Sequence, residues 1–196
     1  MRIKAQTVLA ALIVSGCAVT RVDPLSVPLA YTSNPKNAAS VGALQCNAIS
    51  QLEVTDGRTD KTLGVRVLEN NTQSADVTTA SNVADWVKTG LQTVLSQNGF
   101  SLGSGPKLSL TVDSLRTHES VWHRAGYDGR IALTARLQSP SGKVCWNETV
   151  QGRGGNYGYA GNALNYQETL NEALDGASLN LVQLPAFKDT LCKCGS

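Results

Sequence analysis

Apolar and polar positions alternate over several short stretches of the chain and change to a three-and-four spacing in two longer ones. Cys46, Ala48, Ser50, Leu52 and Val54 share one face of an extended segment that ends in the turn-forming Thr55-Asp56-Gly57. A β-branched stretch follows at residues 63–68. From Ser81 to Asn98 the period lengthens, and Val83, Trp86, Val87, Gly90, Leu91, Val94 and Leu95 mark one side of an amphipathic helix. Ser81 or Asn82 supplies its N-cap, and Gly99 sits where a left-handed C-terminal residue belongs. Alternation returns at residues 107–116, with Leu108, Leu110 and Val112 inward, and again at 129–138, with Ile131, Leu133, Ala135 and Leu137. Ser139-Pro140-Ser141-Gly142 has the chemistry of a type I turn. Residues 143–152 then return with Val144, Trp146 and Val150 on one face. The glycine-rich stretch 152–162 reads as a flexible connection to a second helix over residues 163–183, which Pro185 stops.

This order, β-β-α-β-β-β-α, predicts an α+β fold: a mostly antiparallel sheet with two amphipathic helices packed on one face. Residues 41–191 are expected to form one domain, long enough to bury a substantial core. The preceding residues 17–40, with Pro24, Pro28 and Pro35 among small polar residues, read as an extended tether, and residues 192–196 as a cysteine-bearing tail.

The first sixteen residues carry a different signal. Arg2 and Lys4 precede the apolar run Val8-Leu9-Ala10-Ala11-Leu12-Ile13-Val14. Seven residues fall far short of the roughly 20 that span a bilayer, but they suit the apolar segment of a secretory signal peptide. Val14-Ser15-Gly16-Cys17 follows, and it resembles the lipobox of bacterial lipoproteins. That resemblance implies cleavage before Cys17, with diacylation of its sulfur and acylation of its new amino group. The acyl chains would anchor the protein without crossing the membrane. Ala18, where an aspartate would favour inner-membrane retention in enteric-type sorting, implies the periplasmic face of the outer membrane.

Cleavage would remove Arg2 and Lys4 from the 17 basic side chains, leaving 15 against 15 acidic ones. Such a balance argues against nucleic acid as a partner, since nucleic-acid binding usually shows as a basic excess. With Cys17 lipidated, Cys46, Cys145, Cys192 and Cys194 remain, an even number for an oxidising compartment. They are read as disulfide candidates, with free thiols and a metal or redox site as alternatives. Three connectivities exist. The single residue between Cys192 and Cys194 disfavours a bridge within the tail. No metal ligand set is expected, because His118 and His123 do not complete one at suitable spacing.

Three clusters were weighed for chemistry. Asp56-Gly57-Arg58-Thr59-Asp60-Lys61 holds two carboxylates that could act as acid and base, but it reads first as a solvated turn in which Arg58 pairs locally. The glycine-rich stretch lacks the Lys-Ser/Thr ending of a phosphate-binding loop. Trp122-His123-Arg124 and Tyr127 fall in the connection between two expected strands and lack a catalytic partner set. That connection reads first as a loop tip whose aromatics pack back on the sheet, with a protein- or glycan-contacting patch as the alternative. On that alternative Trp122 and Tyr127 join Tyr157 and Tyr159 as aromatic candidates for partner binding. No catalytic residue and no cofactor beyond lipid on Cys17 is expected.

The signal Val14-Ser15-Gly16-Cys17, the run Thr55-Asp56-Gly57-Arg58-Thr59-Asp60 ending in Leu63-Gly64, the Trp-bearing helix closing on Asn98-Gly99-Phe100 and the Asn165-Tyr166-Gln167-Glu168 helix start resemble the YajG-type lipoproteins. That group is regarded as outer-membrane-associated and uncharacterised, so the resemblance implies no active site. The four further cysteines set this chain apart from it. The function implied is a non-catalytic, lipid-anchored module that binds or helps assemble another envelope protein. The alternative is an accessory lipoprotein handling a lipid or glycolipid in envelope transport, of the LptE or ABC-transporter auxiliary type, by fold analogy alone. An enzyme acting on peptidoglycan or lipid would rest on Asp56, Asp60 and His123.

Overall fold

The computed structural model describes residues 22–37, 46–68, 73–121 and 125–194. Cys17, Trp122, His123 and Arg124 lie outside the described residues. Seven strands form one mixed, mostly antiparallel sheet with three helices, in the order β1 (Leu25–Ser26), β2 (Ala48–Asp56), β3 (Gly64–Leu68), β4 (Ser74–Thr78), α1 (Val83–Gln97), β5 (Ser101–Val121), β6 (Ala125–Gln138), β7 (Val144–Gly158), α2 (Ala163–Gln183) and α3 (Pro185–Cys194). The architecture is the expected α+β sandwich, with β1, β4 and α3 added.

The long β5 organises the sheet. Its first half pairs in parallel with β2 and its second half with β3, while its other edge runs antiparallel to β6, which in turn pairs with β7. β4 is antiparallel to β3 and carries the two-residue β1 alongside it. A register shift at Asp113 lets one extra residue bulge out of β5. Before the bulge the buried positions are Leu108, Leu110 and Val112; after it they are Leu115, Thr117, Glu119 and Val121. The inward phase thus changes from even to odd positions. A second irregularity in β2, between Ile49 and Gln51, likewise breaks the expected single face, so Ile49 and Leu52 are the buried pair.

α1 forms as its spacing predicts. Asn82 is the N-cap, its side chain accepting from the Asp85 backbone N–H, and Gly99 has a φ of 80° just past the end. Trp86, Val87, Leu91, Val94 and Leu95 are buried beneath it. α2 lies along β6 and β7 in the opposite direction to β7.

Gly152–Gly158 is not a loop but the last part of β7. The glycines let α2 approach the sheet at backbone contact: a Cβ on Gly152 would lie 1.9 Å from the Ala173 carbonyl oxygen, and one on Gly154 2.2 Å from that of Thr169. Pro185 does end α2, but it also begins α3, a position where its fixed φ suits a helix start. On α3, Phe187, Leu191 and Cys194 face inward, and the Phe187 ring stacks near Trp146 and Phe100, with centroids at 5.5 and 6.0 Å.

The segment expected to be a tether also differs. From Val22 to Asn37 it lies against the domain as a strap across both long helices. Val27 is fully buried, and the Leu29 N–H donates to Ser81 Oγ at 2.9 Å. Asn171 Nδ2 donates to the Ala30 carbonyl at 3.2 Å, and the Tyr31 hydroxyl donates to Asp175 Oδ1 at 2.6 Å. Proline makes the segment extended, as the sequence implies, but Val22, Val27, Leu29 and Tyr31 give it an apolar edge that packs. Cys192 and Cys194, expected in a tail bridged to the sheet, belong to a helix, since α3 runs through Cys194.

Candidate functional site

The sheet has two ends of different character. At one lie the end of β5, the start of β6, the last residues of β3 and β7, the start of α2 and the point where the strap enters. Here Glu119, on the inward phase created by the Asp113 bulge, is completely buried. A bare carboxylate in such a place would be prohibitively costly, so its environment must supply donors and a positive charge. Four donors meet it. Arg66 Nε and the Tyr166 hydroxyl each reach Oε2 at 2.5 Å. The Gly161 backbone N–H reaches Oε1 at 2.5 Å, and the Tyr127 hydroxyl lies 3.0 Å from the same oxygen. The single Tyr127 proton is shared with the Tyr159 carbonyl. The Tyr127 and Tyr166 rings meet edge to face, with centroids 4.8 Å apart.

Each element supplies one part: β3 Arg66, β5 Glu119, β6 Tyr127, α2 Tyr166, and the turn before α2 Gly161. Gly161 has a φ of 69°, and a Cβ there would come within 2.7 Å of Arg66 Nη2, so the position needs glycine twice over. Burial, and then the neighbouring Glu119, raise the Tyr166 hydroxyl well above the ordinary phenol range. Tyr127 is also raised, chiefly by burial. Both hydroxyls therefore stay protonated and donate to the carboxylate. Arg66 extends the network outward, its Nη1 donating to the Asp23 carbonyl at 2.7 Å. One guanidinium thus joins the strap, the sheet and the start of α2.

Tyr127 packs back on the sheet, so its candidacy for partner binding is corrected: it is 4% exposed and lies not in a connection but on the core face of a strand that begins earlier than the sequence suggests. Tyr157 and Tyr159 are the exposed ones, at 79% and 86%, joined at this end by Leu164. Glu119, Arg66 and Tyr166 were missed as a group. The available signals were a charged residue within an apolar strand pattern and Arg66 set between two valines.

The opposite end is covalently closed. Cys46 is bonded to Cys192 and Cys145 to Cys194, with Cα–Cα separations of 5.2 and 5.9 Å, pinning α3 to the segment before β2 and to β7. The acidic turn is occupied locally. Arg58, only 5% exposed, donates to both oxygens of Asp56, holding that carboxyl well below the usual range, while Asp60 pairs with Arg116 at 2.8 Å. Among the described residues, no cluster of three or more metal-ligating side chains occurs and no helix is long and apolar enough to cross a membrane.

Among the described residues, the face of the sheet away from the helices is polar and carries no helix, only the β2–β3 connection meeting it at Thr111 and Arg116. On one row of that face Arg116 lies opposite Arg130, and Arg130 opposite Arg153. Arg116 pairs with Asp60 and Arg130 with Asp128 at 2.9 Å; Arg153 makes no ion pair among the described residues.

A family model described as uncharacterized lipoprotein matches residues 35–191. The chain belongs to that lipoprotein family. Among solved structures this lipoprotein is similar to a Xanthomonas campestris protein assigned to the DUF330 family model, at 12% identity and a TM-score of 0.52, covering 87% of this chain and 98% of that one. That likeness shows a shared fold. A minor lipoprotein from Acinetobacter baumannii is 15% identical over 77% of this chain and 96% of its own, with a TM-score of 0.38, too distant to bear on the argument. No curated protein matches. Membership makes the chain a lipoprotein.

Proposed function

We propose that this lipoprotein is a non-catalytic module of the YajG type, anchored through acylated Cys17 to the periplasmic face of the outer membrane, that docks another envelope protein. The observation that carries the reading is the helix-free sheet face with Arg116, Arg130 and Arg153 in one row. Arg116 and Arg130 are each held by a carboxylate of this chain, Asp60 and Asp128, so the charge left for a partner is that of Arg153, which a carboxylate on an acidic protein surface would meet with bidentate contacts. The carboxylates a catalytic reading would use are engaged within the chain, Asp56 by Arg58 and Asp60 by Arg116. The backbone contact of α2 with β7 at Gly152 and Gly154 leaves no room there for an acyl chain, which weighs against a lipid carrier.

A photo-crosslinking residue placed at Gln151, exposed two positions before Arg153 on the same strand face, should give a discrete protein adduct in cells, and Arg130→Glu with Arg153→Glu should abolish it without changing the thermal midpoint by more than a few degrees. Recovery of uncross-linked monomer alone, with Cys17 acylated, would remove the docking claim.

A further inference from the structure

The short route from Cys17 to the packed strap restricts how the domain can sit. We propose that the end bearing Tyr157, Tyr159 and Leu164 rests on the bilayer, with the two tyrosines at headgroup level. The proposal rests on the reading that Cys17 is acylated.

Val22 is already buried, at 7% exposure, so only residues 18–21 separate it from Cys17. Five fully extended residue steps reach at most about 18 Å, so the point of entry is held close to the membrane surface. That point belongs to a definite end of the sheet. β1 runs parallel to β4, pairing Leu25 with Val77, and β4 pairs with β3 so that Ser74 lies opposite Val67; the chain therefore enters beside the end of β3. The end of β3 pairs Leu68 with Val121 at the end of β5, and beside it Ser120 pairs with Gly126, which in turn pairs with Tyr157. The Arg66 guanidinium closes the circuit, with Asp23 on one side and Gly161 on the other.

The strap entry and the exposed aromatics thus share one surface. Tyr157, Tyr159 and Leu164 are 79%, 86% and 55% exposed, a chemistry with apolar bodies and polar tips that suits the membrane–water interface. The Glu119 network lies directly behind them. It takes up the Tyr159 carbonyl through Tyr127 and the Gly161 N–H through Glu119, so the tyrosine-bearing turn is held rigid from within. Seating here would leave the arginine row on the side of the domain, open to a partner in the periplasm.

The test uses the full chain, purified with its lipid and reconstituted in phosphatidylethanolamine–phosphatidylglycerol vesicles. A benzophenone amino acid replaces Tyr159 in one variant, Leu164 in a second and Val144 in a third. Val144 is 45% exposed at the opposite end of β7, so it matches the others in apolar character but not in place. Illumination should give phospholipid adducts at Tyr159 and Leu164 at least about ten-fold above Val144. Equal adducts at both ends, or none at Tyr159, would overturn the seating. The same experiment in cells distinguishes a protein occupant: a protein adduct at Tyr159 in place of lipid also overturns it. Intact mass of the purified protein is read first. An unacylated Cys17 removes the anchoring claim together with the seating; an acylated Cys17 without lipid adducts at Tyr159 removes the seating alone.

Discussion

The two ends of the sheet are closed by different chemistry. One end uses a buried carboxylate with four donors and no covalent link; the other uses two disulfides around an aromatic cluster of Phe100, Trp146 and Phe187. The polar end satisfies directional groups, so it fixes the geometry of what lies outside it, the tyrosine-bearing turn. The stapled end holds a short helix whose apolar contacts are few. Ten residues with three buried side chains is below the length at which an isolated helix persists in water. Geometry is the product of the first end, and retention of α3 that of the second.

Breaking the staples should have the largest effect. Cys192→Ser with Cys194→Ser frees α3, and loss of a native disulfide typically costs about 2–5 kcal/mol, with the second loss adding less once the helix is loose. Chemical denaturation should show a stability loss of about 5 kcal/mol, and near-ultraviolet circular dichroism should show the Trp146 signal diminished. Either single serine variant should lose less, because one bridge still retains the helix.

At the polar end, Glu119→Ala leaves Arg66 without its carboxylate and the Tyr166 hydroxyl and Gly161 N–H without their acceptor, while Tyr127 keeps the Tyr159 carbonyl. Removing one partner of a buried pair costs about 3–5 kcal/mol. The expected loss by denaturant titration is of that size, accompanied by faster hydrogen exchange at Gly161 and at the start of α2. The stapled end should keep its exchange protection. Equal loosening of both ends would show that the two are one cooperative unit.

How far these ends were legible in the sequence differs in the same way. Period carried α1, the β5–β7 meander and α2, because an apolar face repeated at 3.6 or at 2 survives small errors of register. The cysteines at 46, 145, 192 and 194 advertised cross-linking, although Pro185 hid α3 by reading as a stop and not as a start. The polar end was hidden by phase. The bulge at Asp113 moves burial from Leu108, Leu110 and Val112 to odd positions, so even-numbered alternation carried forward puts Glu119 in solvent. The run Gly152–Gly158 reads as a loop by composition, and only the proximity of the α2 backbone explains why a strand there needs no side chains. β4 and the strap form from residues with little apolar period, and they are held by contacts far away in sequence.

A smaller effect isolates one donor. Tyr166→Phe removes a hydrogen bond to a charged acceptor, worth about 1.5–3 kcal/mol, without altering the packing of the ring. It also predicts a change in pH dependence. The Tyr166 hydroxyl is raised in the fold, while an unfolded tyrosine ionises near pH 10. Its contribution is therefore whole below about pH 10 and declines as pH rises above it, since the unfolded chain alone then loses the proton. The alkaline decline should be shallower in Tyr166→Phe. On the acid side, Asp56 is lowered by Arg58, so its contribution is present above about pH 4 and lost below it, unchanged by the Tyr166 substitution. An unchanged or steeper alkaline decline in the variant would mean that the Tyr166 hydroxyl is not raised in the fold.

The smallest effect on stability should come from the residues nearest the polar end yet outside it. Tyr157→Ser and Tyr159→Ser remove rings that are mostly in water, and surface changes away from caps and buried networks usually stay within about 0.5 kcal/mol. The Tyr159 carbonyl, not its ring, is what Tyr127 meets, so the network behind the turn is untouched. Thermal midpoints should move by no more than a few degrees in the double variant. If they fall as far as in Tyr166→Phe, the rings are structural, and the rigid turn exists to pack them and not to display them. If they hold, the polar end has a rigid interior carrying aromatics whose removal the fold does not register, which leaves contact with something outside the chain as their physical role.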